Sequence, residues 1–183
     1  MNYFEVFSLP KSLNLDTAAL EKSFHDLSRT FHPDRHATGS ADERRQALRM
    51  TTLLNDAYRT LRHPIRRAEY LVAIEGFKPD GSKVPRAFLM EVFDINERLD
   101  ELKADKRSAA GAKPAEVVAL RGEIQEKCAG FDDRIAVAAR EWDRLVAADA
   151  SEAEKKSHLA ALTELLSEFS YIRNLQRDVE EYF

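Results

Sequence analysis

The chain has 183 residues, of which 44% are hydrophobic and 33% are charged, and its formal net charge is −4 at pH 7. This hydrophobic content predicts a globular protein of one or two domains. With only six glycines and six prolines, the composition favours helix over strand. No apolar stretch is long enough to cross a bilayer and the N-terminus lacks signal-peptide features, so we expect a cytoplasmic protein without a membrane partner.

Charge and cysteine content restrict the kinds of ligand. Residues 1–75 carry 11 Lys and Arg against 10 Asp and Glu, whereas the remaining residues carry 17 against 22. Neither part has the basic stripe of a nucleic-acid-binding protein. The single cysteine, Cys128, excludes an internal disulfide and cannot by itself form a thiolate metal site. We therefore expect no nucleic acid, no metal and no cofactor.

In chain order, the first predicted elements are a short helix at residues 2–7 and then a helical hairpin. Asp16 can cap the first long helix, whose apolar stripe is Leu20, Phe24, Leu27 and Phe31. Ser40 and Glu43 form a capping box that opens the second helix, whose stripe is Ala47, Met50, Leu54, Ala57, Tyr58 and Leu61. The two stripes predict antiparallel helices that pack on each other.

The tripeptide His32-Pro33-Asp34 separates these two helices. Pro33 has no backbone N–H and disfavours helical geometry at His32, so the first helix must end there. The tripeptide is therefore predicted to form a solvent-exposed turn at the tip of the hairpin. A further helix is predicted from Pro64 to Ile74, and the turn-rich residues 76–84 are predicted to be a connector.

The remaining residues, 85–183, predict three antiparallel helices that form a bundle. The first spans residues 85–106, and the second is opened by Pro114 and carries a heptad seam that includes Cys128, Phe131 and Trp142. Ser151 and Glu154 form another capping box at the start of the third. We read Cys128 and Trp142 as core residues.

The helix of residues 85–106 has apolar residues on two faces. Phe88, Val92, Ile95, Leu99 and Leu102 form one predicted buried face, whereas Leu89, Met90 and Phe93 point elsewhere, beside Asp94 and Glu97. One explanation is that the helix packs on two sides. The other is that the second face binds another protein.

The turn itself admits several interpretations. A histidine held by a carboxylate can act as a general base, which suggests a small hydrolase using His32 and Asp34, but no nucleophile accompanies them. His32, Asp34 and His36 could bind a metal, although their spacing is weak support. The turn could also be an ordinary solvated loop.

The hairpin with its His-Pro-Asp turn resembles a J domain, the module that stimulates the ATPase of DnaK-class chaperones. Four further segments resemble the HscB co-chaperones of iron–sulfur cluster assembly: Asn2-Tyr3-Phe4, His63-Pro64, Arg67-Ala68-Glu69-Tyr70-Leu71 and Ala87-Phe88-Leu89-Met90-Glu91. The resemblance implies an all-α, L-shaped protein. It would consist of a J domain at residues 1–75, a connector at 76–84 and a three-helix bundle at 85–183.

The resemblance also implies partners and site residues. The chain would be a monomer without enzymatic activity that stimulates an HscA-like chaperone and delivers the scaffold protein IscU. The chaperone would bind His32, Pro33 and Asp34, together with a cationic track formed by Lys22, Arg29 and Arg35. The scaffold would bind Leu89, Met90, Phe93, Asp94, Glu97 and Tyr171. The alternative is a general J-domain co-chaperone that delivers other clients.

Overall fold

The computed structural model describes residues 1–36, 39–78, 80, 83–107 and 113–183, with only the backbone described at Pro33, His36 and Arg107. Seven α-helices follow one another in these residues: Tyr3–Val6 (α1), Thr17–Thr30 (α2), Ala41–Leu61 (α3), Pro64–Ile74 (α4), Arg86–Arg107 (α5), Pro114–Ala147 (α6) and Glu152–Tyr182 (α7). None of the described residues lies in a strand, so the all-α prediction is confirmed. Across the same residues, no helix combines the length and apolar composition of a membrane span.

The helices begin where the sequence places their caps. The Asp16 carboxylate accepts hydrogen bonds from two backbone N–H groups in the first turn of α2, at 2.9 and 3.1 Å. At the start of α3, the Glu43 N–H donates to Ser40 Oγ at 3.2 Å and the Ser40 N–H donates to the Glu43 carboxylate at 2.6 Å. Ser151 and Glu154 repeat this arrangement before α7. Each cap satisfies donors that the helix itself leaves unpaired.

The chain forms two compact units. The first consists of residues 1–76 and 139–155, and the second consists of residues 77–138 and 156–183. Helix α6 therefore supplies its last turns to the first unit and its remaining turns to the second. Helix α7 begins in the first unit and continues in the second.

The core of the first unit is formed by the predicted stripes of α2 and α3. Leu20 of α2 is buried, as are Leu54 and Leu61 of α3. Phe24 stacks on Tyr58, with the ring centroids 4.2 Å apart. The rest of the α2 stripe, Phe24, Leu27 and Phe31, is only half-buried. Packing between the two helices therefore becomes less complete towards the turn.

The opposite end of the first unit, which we call the base, is formed by residues 11–14 and by Arg67, Trp142 and Asp143. The Trp142 indole N–H donates to the Lys11 carbonyl at 2.7 Å, and the Leu13 N–H donates to the Asp143 carboxylate at 2.7 Å. Trp142 is only 4% exposed. It is a core residue, as predicted, but it is buried in the first unit and not on the bundle seam.

A buried arginine completes the base. The Arg67 guanidinium donates to the Leu13 carbonyl at 3.0 Å and to the Leu61 carbonyl at 2.5 Å. Burial lowers the pKa of Arg67, and the Asp143 carboxylate acts in the opposite direction. These bonds give partners to two of the buried guanidinium donors, Nε and Nη1. Arg67, which lies in α4, thus ties this helix to the loop at Leu13 and to the end of α3 at Leu61.

The second unit is a three-helix bundle whose helices pack through the predicted seams. The buried apolar residues of these seams include Val92, Ile95, Leu99 and Leu102 of α5, Val117, Leu120, Ile124, Cys128, Phe131 and Ile135 of α6, and Leu159, Leu162, Leu166 and Phe169 of α7. Phe88, predicted to belong to the buried face of α5, is only half-buried, because it lies near the start of the helix. Burial raises the pKa of the Cys128 thiol, as expected for a core cysteine.

Candidate functional site

The His-Pro-Asp turn begins at His32 and continues into a single turn of 3-10 helix that spans Pro33–His36. Helix α2 ends at Thr30, with the Phe31 N–H donating to the Leu27 carbonyl at 3.0 Å. Thr51 of α3 then donates its hydroxyl to the Phe31 carbonyl, at 3.0 Å. These contacts hold the chain that leads into the turn, as the sequence predicted for the tip of a hairpin.

The His32 imidazole and the backbone of the turn fix each other. The Asp34 N–H donates to His32 Nδ1 at 3.3 Å, and the Arg35 N–H donates to the His32 carbonyl at 3.0 Å. These two bonds fix the ring and the backbone of the turn relative to each other.

Both side chains of the turn that the structure describes are open to solvent. The His32 side chain is 57% exposed and the Asp34 side chain is 90% exposed, with His32 Nδ1 and Asp34 Oδ2 separated by 3.6 Å. A catalytic carboxylate that orients a histidine is normally buried. The geometry therefore favours binding of the turn by another protein over the hydrolase hypothesis.

The metal hypothesis involves His36, whose side chain lies outside the described residues. Among the side chains that are described, no three of His, Cys, Asp or Glu converge in a way that could hold a metal ion.

A cationic pocket adjoins the turn. It has a volume of about 300 Å³ and is lined by His25, Ser28, Arg29, His32 and Arg35. The structure thus brings Arg29 and Arg35 to the turn, whereas Lys22 is exposed on α2 and does not line the pocket. Sequence reasoning missed His25 and Ser28. His25 lies four residues before Arg29 and seven before His32, and Ser28 lies four residues before His32; this spacing was the signal that could have revealed one shared face.

The outer face of α5 displays the predicted second apolar surface. Met90 is 60% exposed and Phe93 is 67% exposed, while Leu89 is half-buried. Asp94 and Glu97 on the same helix are exposed. Large apolar side chains that remain accessible beside charged ones are a common feature of protein-binding surfaces.

Tyr171 of α7 lies beside α5, as a member of the same surface would. Its ring is half-buried and packs edge-on against Phe88, with the ring centroids 6.4 Å apart. Phe88 precedes Leu89 in the chain, so the structure brings Tyr171 to the first turn of α5. The Tyr171 side chain is therefore only partly open to solvent.

Comparison with known proteins assigns the family. Residues 84–180 match the model of the HSCB C-terminal oligomerisation domain. The solved structure of the chaperone HscB from Vibrio cholerae is similar over nearly the whole chain, with 30% sequence identity and a TM-score of 0.69. The match covers 99% of this chain and 96% of the Vibrio protein.

The chain belongs to the HscB family.

The human co-chaperone protein HscB supports the same fold. Its crystal structure matches with a TM-score of 0.74 and 24% identity, covering 99% of this chain and 81% of the human protein. Membership of the HscB family makes this chain a co-chaperone in iron–sulfur cluster assembly. The resemblance read from the His-Pro-Asp hairpin and the four further segments is therefore confirmed.

Proposed function

We propose that this HscB-family protein stimulates ATP hydrolysis by an HscA-like chaperone of the DnaK class and delivers an IscU-like scaffold protein to it. The observation that supports this proposal is the assignment of two exposed surfaces to different compact units. The His-Pro-Asp turn belongs to the first unit, and Met90 and Phe93 belong to the second. Each unit thus has a surface for one partner.

The turn acts as an allosteric effector and supplies no chemistry of its own. Stimulation requires that the turn bind one conformation of the chaperone more tightly than another. The hydrogen bond from the Asp34 N–H to His32 Nδ1 orders the turn before binding. Little conformational entropy is therefore lost on docking.

The cations beside the turn guide the encounter with the chaperone. Lys22, Arg29 and Arg35 are exposed, and the Arg29 side chain is only loosely paired with Asp26, at 4.0 Å. Exposed charges affect association rates more than final affinity, and salt weakens their effect. Neutralising Arg29 should therefore slow association at low salt and have little effect at high salt.

The chaperone half of the proposal is tested by His32→Gln. Single-turnover ATP hydrolysis by the HscA-like chaperone should lose its stimulation, while scaffold affinity remains that of the wild type. The matched control is His63→Gln, because His63 is an exposed histidine at the start of α4 whose side chain makes no capping hydrogen bond. Retained stimulation by His32→Gln, or loss in both variants, would contradict the role of the turn.

The outer face of α5 binds the scaffold. Met90 and Phe93 provide apolar area that a partner can remove from water, and Leu89 extends it towards the bundle. A few such side chains carry most of the binding energy in typical interfaces. Asp94 and Glu97 orient the partner through charge.

The scaffold half is tested by the double variant Leu89→Ala and Phe93→Ala. Affinity for the IscU-like protein, measured by calorimetry, should fall at least about tenfold, which corresponds to about 1.4 kcal/mol. The matched control is Val118→Ala on α6, because Val118 is 66% exposed and Phe93 is 67% exposed. An unchanged dissociation constant for the double variant would remove the assignment of this face.

Linking the two binding sites in one chain raises the effective concentration of the scaffold near the chaperone. The scaffold and this protein together should therefore stimulate the chaperone more than the sum of their separate effects. A general J-domain co-chaperone would show no such synergy with an IscU-like scaffold.

We further propose that the protein acts as a cytoplasmic monomer without catalytic activity of its own. Light scattering should give the mass of one chain, fractionation should recover the protein with the cytoplasm, and the purified protein alone should not hydrolyse ATP. We assign chaperone binding to residues 1–75 and scaffold binding to residues 85–183. These roles should be tested in the full chain, because residues 139–155 belong to the first compact unit.

A further inference from the structure

A groove lies between α5 and α6 in the second unit. Its volume is about 220 Å³, and its lining residues are Phe88, Glu91, Lys127, Gly130, Phe131 and Arg134. Two of these residues belong to α5 and four to α6. None of them was singled out by sequence as a binding residue.

The floor of the groove is aromatic and its rim is charged. Phe88 and Phe131 meet edge to face, with their centroids 5.9 Å apart. The Arg134 guanidinium lies 4.8 Å from the centroid of Phe131 and bonds Glu168 at 3.4 Å. Lys127 forms an ion pair with Glu91 across the two helices. An apolar floor inside a polar rim is the usual anatomy of a protein interface.

Gly130 lines the groove on the α6 side. It lies in the middle of α6 and is exposed, and a Cβ built there would find no heavy atom within 4 Å. Glycine in a helix interior is unfavourable relative to most residues. Nothing in the packing requires a glycine here, yet any larger side chain would stand beside the mouth of the groove.

The volume indicates what the groove could hold. Small-molecule sites usually exceed about 300 Å³, whereas a cavity of about 150 Å³ already accommodates benzene. The groove is therefore suited to a single large apolar or aromatic side chain. The rim charges are balanced within the protein, because Lys127 pairs with Glu91 and Arg134 pairs with Glu168.

The groove is continuous with the outer face of α5. Phe88 and Glu91 occupy the same two turns of this helix as Leu89, Met90 and Phe93. The outer face carries the exposed carboxylates Asp94 and Glu97. A partner that covers both surfaces would present basic groups to these carboxylates and an apolar side chain to the groove, and this arrangement would fix its orientation.

We propose that the groove receives an apolar or aromatic side chain of the scaffold protein, while α5 binds the same scaffold through Met90 and Phe93. This inference rests on the proposed function and extends the scaffold footprint from α5 onto α6.

The test fills the groove from within. In Gly130→Leu, the new side chain would stand at the α6 wall of the groove, which Gly130 lines, and exclude the side chain of the partner. The matched control is Gly122→Leu, because Gly122 is also an exposed glycine of α6 with no heavy atom within 4 Å of a built Cβ, and it does not line the groove. Both substitutions favour the helix, so neither should lower the melting temperature.

The probe is the IscU-like scaffold protein of the same organism, with binding measured by calorimetry to the full chain. Gly130→Leu should weaken binding at least about tenfold, and Gly122→Leu should stay within about twofold of the wild type. Gly130→Gln should weaken binding as well, which separates occupation of the groove from a general effect of added apolar surface.

Three outcomes would overturn the inference. If the wild type binds and Gly130→Leu binds equally well, the groove is not used, although the α5 face keeps its role. If Gly122→Leu weakens binding as much as Gly130→Leu, the effect does not belong to the groove. If the wild type does not bind the scaffold at all, the proposed function fails and this inference fails with it.

Discussion

The two ends of the first unit are held together in different ways. At the base, residues 11–14 are bound by side chains from distant parts of the sequence: Leu13 and Asp143, which are 130 positions apart, share a hydrogen bond. At the tip, the contacts around the turn are mostly local, such as Asp34 to His32 and Glu43 to Ser40. The base is built around the buried residues Leu13, Arg67 and Trp142, whereas the tip is exposed.

This difference shows how one small unit combines stability with recognition. Buried long-range contacts contribute most to the free energy of unfolding, because their loss leaves cavities or unpaired polar groups. Local exposed contacts contribute little to that free energy but order the turn. Variants at the base should therefore change stability more than chaperone stimulation. Variants at the tip should do the reverse.

The largest expected effect is that of Trp142→Ala at the base. Removing a buried Trp should lower the free energy of unfolding by about 3–5 kcal/mol. Trp142→Phe, which keeps a ring but loses the N–H that donates to the Lys11 carbonyl, should cost less, about 1–3 kcal/mol. Urea unfolding followed by circular dichroism measures both, because the chain has only one Trp and its fluorescence is lost. A cost below about 1 kcal/mol for Trp142→Ala would show that the base is not a main source of stability.

Asp143→Ala should have the next largest effect. Its carboxylate accepts hydrogen bonds from the Ser12 hydroxyl at 2.8 Å and from the Leu13 and Asn14 N–H groups, both at 2.7 Å. Losing the acceptor should cost about 1–3 kcal/mol. Because Asp143 lies at the base and not at the tip, the stimulation of the chaperone per folded molecule should be unchanged. If the variant is fully folded under the assay conditions and its stimulation of the chaperone nevertheless falls, base and tip are coupled.

Ser40→Ala tests the tip. Loss of the capping box should cost about 1 kcal/mol and increase amide hydrogen exchange in the first turn of α3. Because Ser40 lies only six residues after Asp34, stimulation of the chaperone per folded molecule should also fall. The matched control is Ser151→Ala, which removes the equivalent cap of α7. Equal loss of stimulation in both variants would refute a specific role of the α3 cap.

The smallest effect is expected for Glu75→Gln, at a solvent-exposed ion pair of the first unit. Lys11 Nζ and Glu75 Oε1 are 2.6 Å apart, but the two side chains remain 47% and 29% exposed. Such pairs contribute about 0–1 kcal/mol, and salt screens them. The difference from the wild type in urea unfolding should therefore be small in dilute buffer and disappear at high salt. A larger cost that persists in salt would mean that this exposed pair contributes as much as the buried contacts of the base.

Much of the candidate site could be read from local spacing. The step pattern of Met90 and Phe93 places them away from Ile95 and Leu99, and the structure leaves the first pair exposed and buries the second. The capping residues and Pro33 likewise locate the turn between α2 and α3. The cationic pocket was only partly foreseen, because His25 and Ser28 become relevant only when the path of the turn is known.

By itself, the sequence determined where the helices start and stop, which face of each is apolar, and that the chain resembles the HscB family. These features depend on residues a few positions apart, whose relative placement follows from helical geometry alone. Only the tertiary structure decided that Trp142 and Asp143 close the base of the first unit and that Gly130 lines a groove against α5. A heptad pattern shows that a residue will be covered, but what covers it depends on where the folded chain brings residues that are far apart in sequence.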